Sequence, residues 1–290
     1  MTAAQLLKKA IIRLENAWCD EPEANAEWLL ASVLKKNRLE MLSAPMAEVS
    51  SAEIKLFEEY ICKKEQGIPL AYILGNQDFI DITLKTDSRV LVPRPETEEL
   101  AEFAYKFAEK MTGQPGRNGK FRILDYGCGS GAIGFWLLTK LPQAELASAD
   151  KSFGALECAR ENAEMLGLEN RTVFLHTDSP EEIQGRFDII VSNPPYIPSD
   201  AIPGLSPEVL SEPHIALDGG KDGLAVARLV FRAAPGLLVP GGALFMELSG
   251  GDPGRLKAEA MPRDLFRLWK EISGLKDFSG QTRFLYAVRR

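Results

Sequence analysis

The chain has 290 residues, 45% of them apolar, and carries a formal net charge of −7. That length accommodates one large or two ordinary domains with a sizeable core, and no run approaches the ~20 uninterrupted apolar residues that a membrane-spanning helix needs. The acidic balance argues against direct nucleic-acid binding, because phosphate neutralisation supplies most of that affinity. Cys19, Cys62, Cys128 and Cys158 form no Cys-x-x-Cys pair, and the histidines are His176 and His214 alone. Metal and disulfide frameworks are therefore disfavoured, and a reducing cytoplasmic compartment is expected.

Residues 1–66 carry only helical periodicity, with Leu6, Leu7, Ala10, Ile11 and Leu14 on one face and Trp28, Leu29 and Val33 on another. They predict a small helical bundle. Its nine basic and eleven acidic residues leave a net of −2, which offers no footprint for nucleic acid. Lys8, Lys9 and Arg13 are interleaved with apolar positions rather than placed ahead of an apolar block, so neither a secretory signal nor a transit peptide is expected. Ser50 or Ser51 followed by Glu53 signals a helix start, and Gly67 and Pro69 mark its end at Gln66. Residues 67–93 alternate and turn, from Ala71-Tyr72-Ile73-Leu74 through Phe79-Ile80 and Ile82-Thr83-Leu84 to Val90-Leu91-Val92, and predict a β-hairpin linker. Residues 94–290 then open on Pro93-Arg94-Pro95-Glu96-Thr97-Glu98 and an amphipathic helix over 100–110, followed by a polar connecting loop over 113–120. Arg94 and Glu96 suit either a substrate mouth or an ion pair at the helix start.

From Phe121 the pattern alternates strand and helix. Strands are expected at 121–125, 144–150, 172–176, 187–192 and 243–248, and helices at 152–167 and 224–238, with Pro240-Gly241-Gly242 as a turn. A final antiparallel hairpin is expected from 266–272 and 284–288. Such alternation predicts a mostly parallel sheet covered on both faces.

The first strand runs into Tyr126-Gly127-Cys128-Gly129-Ser130-Gly131, after which a helix begins. Gly127, Gly129 and Gly131 permit positive φ and close approach of a ligand. Asp150, ending the next strand, is placed to accept ribose hydroxyls. A dinucleotide-binding fingerprint would read Gly-x-Gly-x-x-Gly, whereas here the spacing is Gly-x-Gly-x-Gly and Asp125 precedes it. An acid there would repel a pyrophosphate but suits an ammonium or sulfonium group. Cys128 in this loop reads as a small lining residue, since no histidine stands near it in sequence.

The most informative segment is Asn193-Pro194-Pro195-Tyr196, set at the carboxyl end of the apolar run 187–192. Two prolines cannot donate from their nitrogens or continue the ladder, so carbonyls are left free to accept. Asn193 adds a side-chain acceptor and Tyr196 a flat face with a polar tip. Such a corner grips an NH2 group from two sides. Together with the glycine loop and Asp150, it points to methyl transfer from S-adenosylmethionine to a planar nitrogen.

The whole chain resembles the HemK/PrmC family of protein-(glutamine-N5) methyltransferases that act on class 1 peptide-chain release factors. The residues carrying the resemblance are 69–75, Val90 through Glu98, Leu124 through Ile133, Val191 through Ile197, Glu212-Pro213 and Ala216 through Leu224. It differs from the family's usual pattern at Tyr126, Cys128 and Ser249-Gly250-Gly251, and Thr177-Asp178-Ser179-Pro180 lacks an aromatic often found near the adenine. The resemblance implies a class I S-adenosylmethionine-dependent methyltransferase fold, Rossmann-like, with a mostly parallel seven-stranded sheet and an antiparallel last strand. It implies transfer to the glutamine amide of a Gly-Gly-Gln motif, with S-adenosyl-L-homocysteine as product, and a substrate-docking role for residues 1–66 of a monomeric enzyme. Asn193, Pro194 and Tyr196 are the expected catalytic residues, and Pro195 completes the substrate corner. The expected cofactor contacts are Asp125, Gly127, Cys128, Gly129, Ser130, Gly131, Asp150, Asp178, Ser179 and Asn193. Because the tetrapeptide also occurs in enzymes that methylate nucleobase amino groups, a nucleic-acid amino methyltransferase remains the alternative.

Overall fold

A computed structural model describes residues 1–112, 120–259 and 266–290. The loop expected over 113–120 lies outside the described residues apart from Lys120. The described chain divides into two compact units, one formed by Met1–Asn76 with Leu205–Glu212 and the other by Gln77–Gly204 with Pro213–Arg290.

The first unit is helical, with α1 (Ala3–Asn16), α2 (Pro22–Val33), α3 (Arg38–Ser43), α4 (Ser51–Glu65) and α5 (Leu70–Leu74). Leu6, Leu14, Leu29, Leu30, Phe57 and Ile61 are its buried centre. The start of α4 has the physical cause expected of it. Ser50 accepts from the Glu53 N–H while the Glu53 carboxylate accepts from the Ser50 N–H, so two otherwise orphaned donors are satisfied reciprocally. Ala71-Tyr72-Ile73-Leu74 is helical rather than extended: the segment is one short turn, closed by Gly75 at φ +77°.

Residues 205–212 are held in this unit by one charge and one close backbone approach. The Lys64 ammonium, 1% exposed, donates to Glu208 Oε2 at 2.6 Å. Gly67 has φ +77°, and a Cβ there would lie 2.7 Å from the Pro207 side chain. Ser211 Oγ donates to the Gly67 carbonyl at 3.0 Å.

The second unit opens with the hairpin β1 (Asn76–Phe79) and β2 (Ile82–Lys85), and Val90-Leu91-Val92 beyond it forms no strand. There follow α6 (Pro95–Thr112), β3 (Phe121–Tyr126), α7 (Ala132–Lys140), β4 (Ala144–Asp150), α8 (Phe153–Leu166), β5 (Thr172–His176) and β6 (Phe187–Ser192). Two short helices, α9 (Pro207–Leu210, within the first unit) and α10 (His214–Leu217), precede α11 (Ala225–Leu237). The chain closes with β7 (Leu238–Glu247), α12 (Asp252–Glu259), β8 (Trp269–Lys276) and β9 (Thr282–Arg289).

The sheet order is β5-β4-β3-β6-β7-β9-β8. Strands β3 to β7 are mutually parallel, and β9 runs antiparallel between β7 and β8. All six residues of β6 are buried, as a parallel strand covered on both faces requires. Apolar clusters lie on both faces, one around Phe135, Leu146 and Phe245 and the other around Ile190, Phe231 and Trp269. Pro240-Gly241-Gly242 does not precede β7 but lies within it, where the pairing with β6 shifts register between Phe187 and Ile189. The strand order changes direction beside β3, where β4 lies on one side and β6 on the other, and open sheets of this kind bind ligands at the carboxyl ends there.

The buried ammonium sets a test. Glu208→Ala leaves Lys64 unpaired in the interior and should cost up to about 3 kcal/mol, while Lys64→Met removes charge and penalty together and should cost less. Chemical denaturation of the two variants checks the order, and a larger loss in Lys64→Met would contradict it.

Candidate active site

Past β3 the chain turns under β4: the Gly127 and Cys128 N–H groups both donate to the Ala149 carbonyl, at 2.8 and 3.1 Å. Gly131 has φ +86° and begins α7, and a Cβ on it would overlap Phe135, 2.0 Å from Cε2. Gly127 and Gly129 also have positive φ, with open space where their Cβ atoms would be. Their backbone is therefore accessible to a ligand, whereas Gly131 is required by packing. Asn162, fully buried on α8, ties the loop to the hairpin by donating to the Ser130 and Lys85 carbonyls and accepting the Lys85 N–H.

Asp150 stands at the end of β4, its Oδ2 accepting the Gly129 N–H at 3.0 Å and its Oδ1 the Ser152 N–H at 2.8 Å. Burial pushes its carboxyl pKa upward against those backbone bonds. Beyond these backbone bonds the carboxylate keeps acceptor capacity for a ligand hydroxyl. The Tyr126 hydroxyl donates to the Asp178 carbonyl at 3.1 Å, fixing the loop beyond β5.

At the end of β6, Ser192 Oγ donates to the Tyr126 carbonyl at 2.7 Å and locks the strand to its neighbour. The tetrapeptide that follows is cradled by residues 217–223. The Ile197 N–H donates to the Leu217 carbonyl and the Gly219 N–H to the Ile197 carbonyl. A Cβ on Gly219 would stand 2.7 Å from the Pro195 carbonyl, and one on Gly223 2.4 Å from that of Tyr196. Asn193 Nδ2 donates to Thr97 Oγ1 at 3.0 Å, and Thr97 donates to Glu247 Oε2 at 2.7 Å. The Tyr196 hydroxyl also faces this carboxylate and helps hold its charge. Burial pushes Glu247 up to about 7 and Tyr196 up to about 12.

A cavity of about 720 Å³, within the range of small-ligand sites, brings together Gly127, Cys128, Gly129, Ser130, Asp150, Asp178, Asn193 and Pro195. Arg94 and Thr97 also line it, and Pro213 to Ala216 form another wall. Pro194 and Tyr196 adjoin this cavity without lining it. Three expected cofactor contacts have other tasks. Asp125 lies beneath the loop, 1% exposed, where its Oδ2 accepts the Gly134 N–H at 3.0 Å and steadies α7. Burial raises it to about 7, and its Oδ1 has no partner among the described residues. Gly131 is the packing glycine described above. Ser179 caps a short 3-10 turn by accepting the Glu181 N–H. Cys128 is a buried thiol held well above its usual range, which makes it a lining group and not a nucleophile. Glu247 and Asn162 carry structural duties at the site that no local pattern announces, whereas Thr97 lies in the Pro-Arg-Pro-Glu-Thr-Glu segment, which could have signalled it.

Comparison with known proteins covers both units. The PrmC N-terminal domain family matches residues 5–75, and the methyltransferase small domain family matches residues 107–205. The chain is 36% identical to a release factor glutamine methyltransferase of Moorella thermoacetica over 100% of its own length and 99% of that protein's. It is 34% identical to the MTRF1L release factor glutamine methyltransferase of Homo sapiens, over 93% of this chain and 82% of that one. Among solved structures, the hMettl16 catalytic domain in complex with an RNA hairpin is similar in fold, with TM-score 0.55 and 12% identity over 83% of this chain and 82% of that chain. The 16S rRNA N2 G1207 methyltransferase of T. Thermophilus, in complex with AdoMet and guanosine, matches with TM-score 0.50 and 22% identity over 74% of this chain and 50% of that one.

The buried acids imply a pH dependence of stability. Asp125 and Glu247 hold folded pKa values near 7, above their usual 3.8 and 4.5. The folded state therefore binds more protons than the unfolded one between about pH 4.5 and 7, and their effect is to lower stability as pH rises through that window, by up to about 1.4 kcal/mol per pH unit for each group. Near Glu247, Arg283 opposes this shift and Glu96 adds to it. Glu247→Gln should flatten the melting-temperature profile of the unliganded protein across the window. An unchanged slope would remove Glu247 as a source.

Proposed function

The chain belongs to the release factor glutamine methyltransferase family, and we propose that it transfers a methyl group from S-adenosylmethionine to the side-chain nitrogen of the glutamine in the Gly-Gly-Gln motif of a class 1 peptide-chain release factor. The observation that carries this reading is the Asn193 corner, which opens on a cavity lined also by the glycine loop and Asp150. The residues present suit the methyl donor. Gly127 and Gly129 offer exposed backbone, Asp150 has lone pairs for the ribose hydroxyls, and Asp178 stands on the wall suited to the adenine amino group. Bound there, the donor supplies an electrophilic sulfonium methyl.

The work left to the protein is positioning. An amide nitrogen is a weak nucleophile because its lone pair is delocalised, so a fixed geometry contributes most of the advantage. Asn193 Oδ1 and the Pro194 carbonyl accept the two amide hydrogens and aim the nitrogen at the methyl. As the N–C bond forms and the S–C bond breaks, positive charge moves onto the nitrogen, where both acceptors stabilise it. The nitrogen then loses a proton to water and the neutral methylamide remains. Tyr196, whose hydroxyl faces Glu247, flanks the amide plane. One glutamine side chain has too little surface to identify a protein, so specificity comes from contacts remote from the amide, and the helical first unit is the proposed source of them. Support for the protein substrate over a nucleobase comes from the named relatives, which match both units, and from the net charge of −7.

Asp150→Ala should weaken S-adenosylmethionine binding by about 1.5 to 3 kcal/mol, the range for a hydrogen bond to a charged group, as read by calorimetry. Equal affinity would take Asp150 out of the cofactor site. Asn193→Ala should instead spare cofactor affinity and lower methyl transfer to intact release factor by orders of magnitude in a labelled-methyl assay. Wild-type turnover in that variant would sink the mechanism.

A further inference from the structure

We infer that Thr97 and Glu247 are positioning residues for the reaction: together they fix which end of the Asn193 side-chain amide faces the substrate. The inference rests on the function proposed above and concerns residues that never touch the reacting atoms.

An asparagine amide presents an acceptor oxygen and a donor nitrogen on nearly superimposable shapes, so its orientation is decided only by its partners. Methyl transfer to an NH2 group needs the oxygen. Were Asn193 turned over, its own NH2 would confront that of the substrate, and two donors would meet. The partners of Asn193 prevent this. Thr97 Oγ1 has one proton, and an ionised Glu247 accepts hydrogen bonds without donating any. The 2.7 Å contact therefore consumes the Thr97 proton, and only a lone pair is left for Asn193 at 3.0 Å. That lone pair selects Nδ2, leaving Oδ1 for the substrate. The chain of donors runs one way, from Asn193 to Thr97 to Glu247.

Its setting is rigid. Thr97 is 4% exposed on the first turn of α6 and Glu247 is 1% exposed at the end of β7. They are 150 positions apart in sequence and meet at the end of the strand that carries Asn193. The fully exposed alternative partner for Asn193, water, would hold either orientation equally well. Burying a carboxylate is costly, and this one is retained beside Arg283, with Glu96 and Tyr196 also facing it. If Glu247 takes up a proton, its O–H can donate to Thr97, the Thr97 proton turns to Asn193, and the selected orientation reverses. Turnover should accordingly fall on the acid side in step with Glu247 titration.

The test is a double-mutant cycle on the full chain with intact release factor. Thr97→Val keeps the shape and removes the hydroxyl. It should lower kcat by about tenfold to a hundredfold, the scale of a misplaced orienting group, with KM and S-adenosylmethionine affinity near wild type. Thr97→Ser should restore most of the activity. In an Asn193→Ala background the further change to valine should cost nothing more, because Thr97 acts only through Asn193. Glu247→Gln, which cannot gain or lose a proton, should remove the Glu247 part of the acid limb of the kcat profile, leaving at most the part that belongs to Asp125. Additive losses in the cycle, a loss confined to KM, or an acid limb unchanged in Glu247→Gln would each overturn the inference. Should Thr97→Val fail to fold, the serine variant and the Glu247→Gln profile decide it. A turnover unchanged in Asn193→Ala would defeat the proposed function itself, whereas an inactive Asn193→Ala beside a fully active Thr97→Val would defeat this inference alone.

Discussion

The second unit is organised by the point at which β6 is forced to stop. A buried parallel strand needs every N–H and carbonyl paired, and Pro194 and Pro195 cannot supply the donors. The ladder therefore ends at Ser192, in the interior, with carbonyls that need partners. Beyond the prolines the Ile197 carbonyl accepts the Gly219 N–H. The Ser192 hydroxyl fastens the strand end to the Tyr126 carbonyl, and residues 217–223 wrap the tetrapeptide so closely that Gly219 and Gly223 leave no room for a Cβ. The end of the strand becomes a fixed concave corner, with Asn193 and Pro195 on the cavity wall. A substrate amide is the complement of such a surface.

Around this corner burial outweighs the compensation that the acids receive, even at Glu247, where Arg283 opposes the shift. Asp125, Asp150 and Glu247 all have carboxyl groups raised by burial, and the first two also repel each other. A site of this character favours a ligand bearing positive charge. Asp125 contributes at a distance, since its carboxylate lies below the loop and its direct bond is to the Gly134 N–H. Gly134 is itself explained by that bond, for a Cβ there would stand 3.0 Å from Asp125 Oδ2 and 2.8 Å from Leu146.

The limits 144–150, 172–176 and 187–192 coincide with β4, β5 and β6. Strand β6 was legible because a strand buried on both faces is a bounded apolar run, whereas the half-exposed edge strand β5 was legible from its β-branched and aromatic residues. Pro240-Gly241-Gly242 misled because its composition is that of a turn, while the register shift opposite Asp188 lets the same residues begin β7. Residues 71–74 misled for a different reason: one turn of helix is too short to show a 3.6-residue period. Within the site, Asp150, Asn193 and the open glycines were readable from spacing along the chain. That the Asp125 carboxylate lies beneath the loop was not readable, since sequence gives a residue's place on a strand and not the side to which its side chain turns. Thr97 and Glu247 could not be joined at all, because their meeting depends on how α6 lies against β7.

Presentation of acceptors to a protein amide is tested most directly by incubating the full chain with S-adenosylmethionine and unmodified class 1 release factor, digesting the product and locating the modification by tandem mass spectrometry. A single added methyl on the side-chain nitrogen of the Gly-Gly-Gln glutamine is expected. A methyl found on another residue, or transfer to RNA in place of the factor, would contradict it.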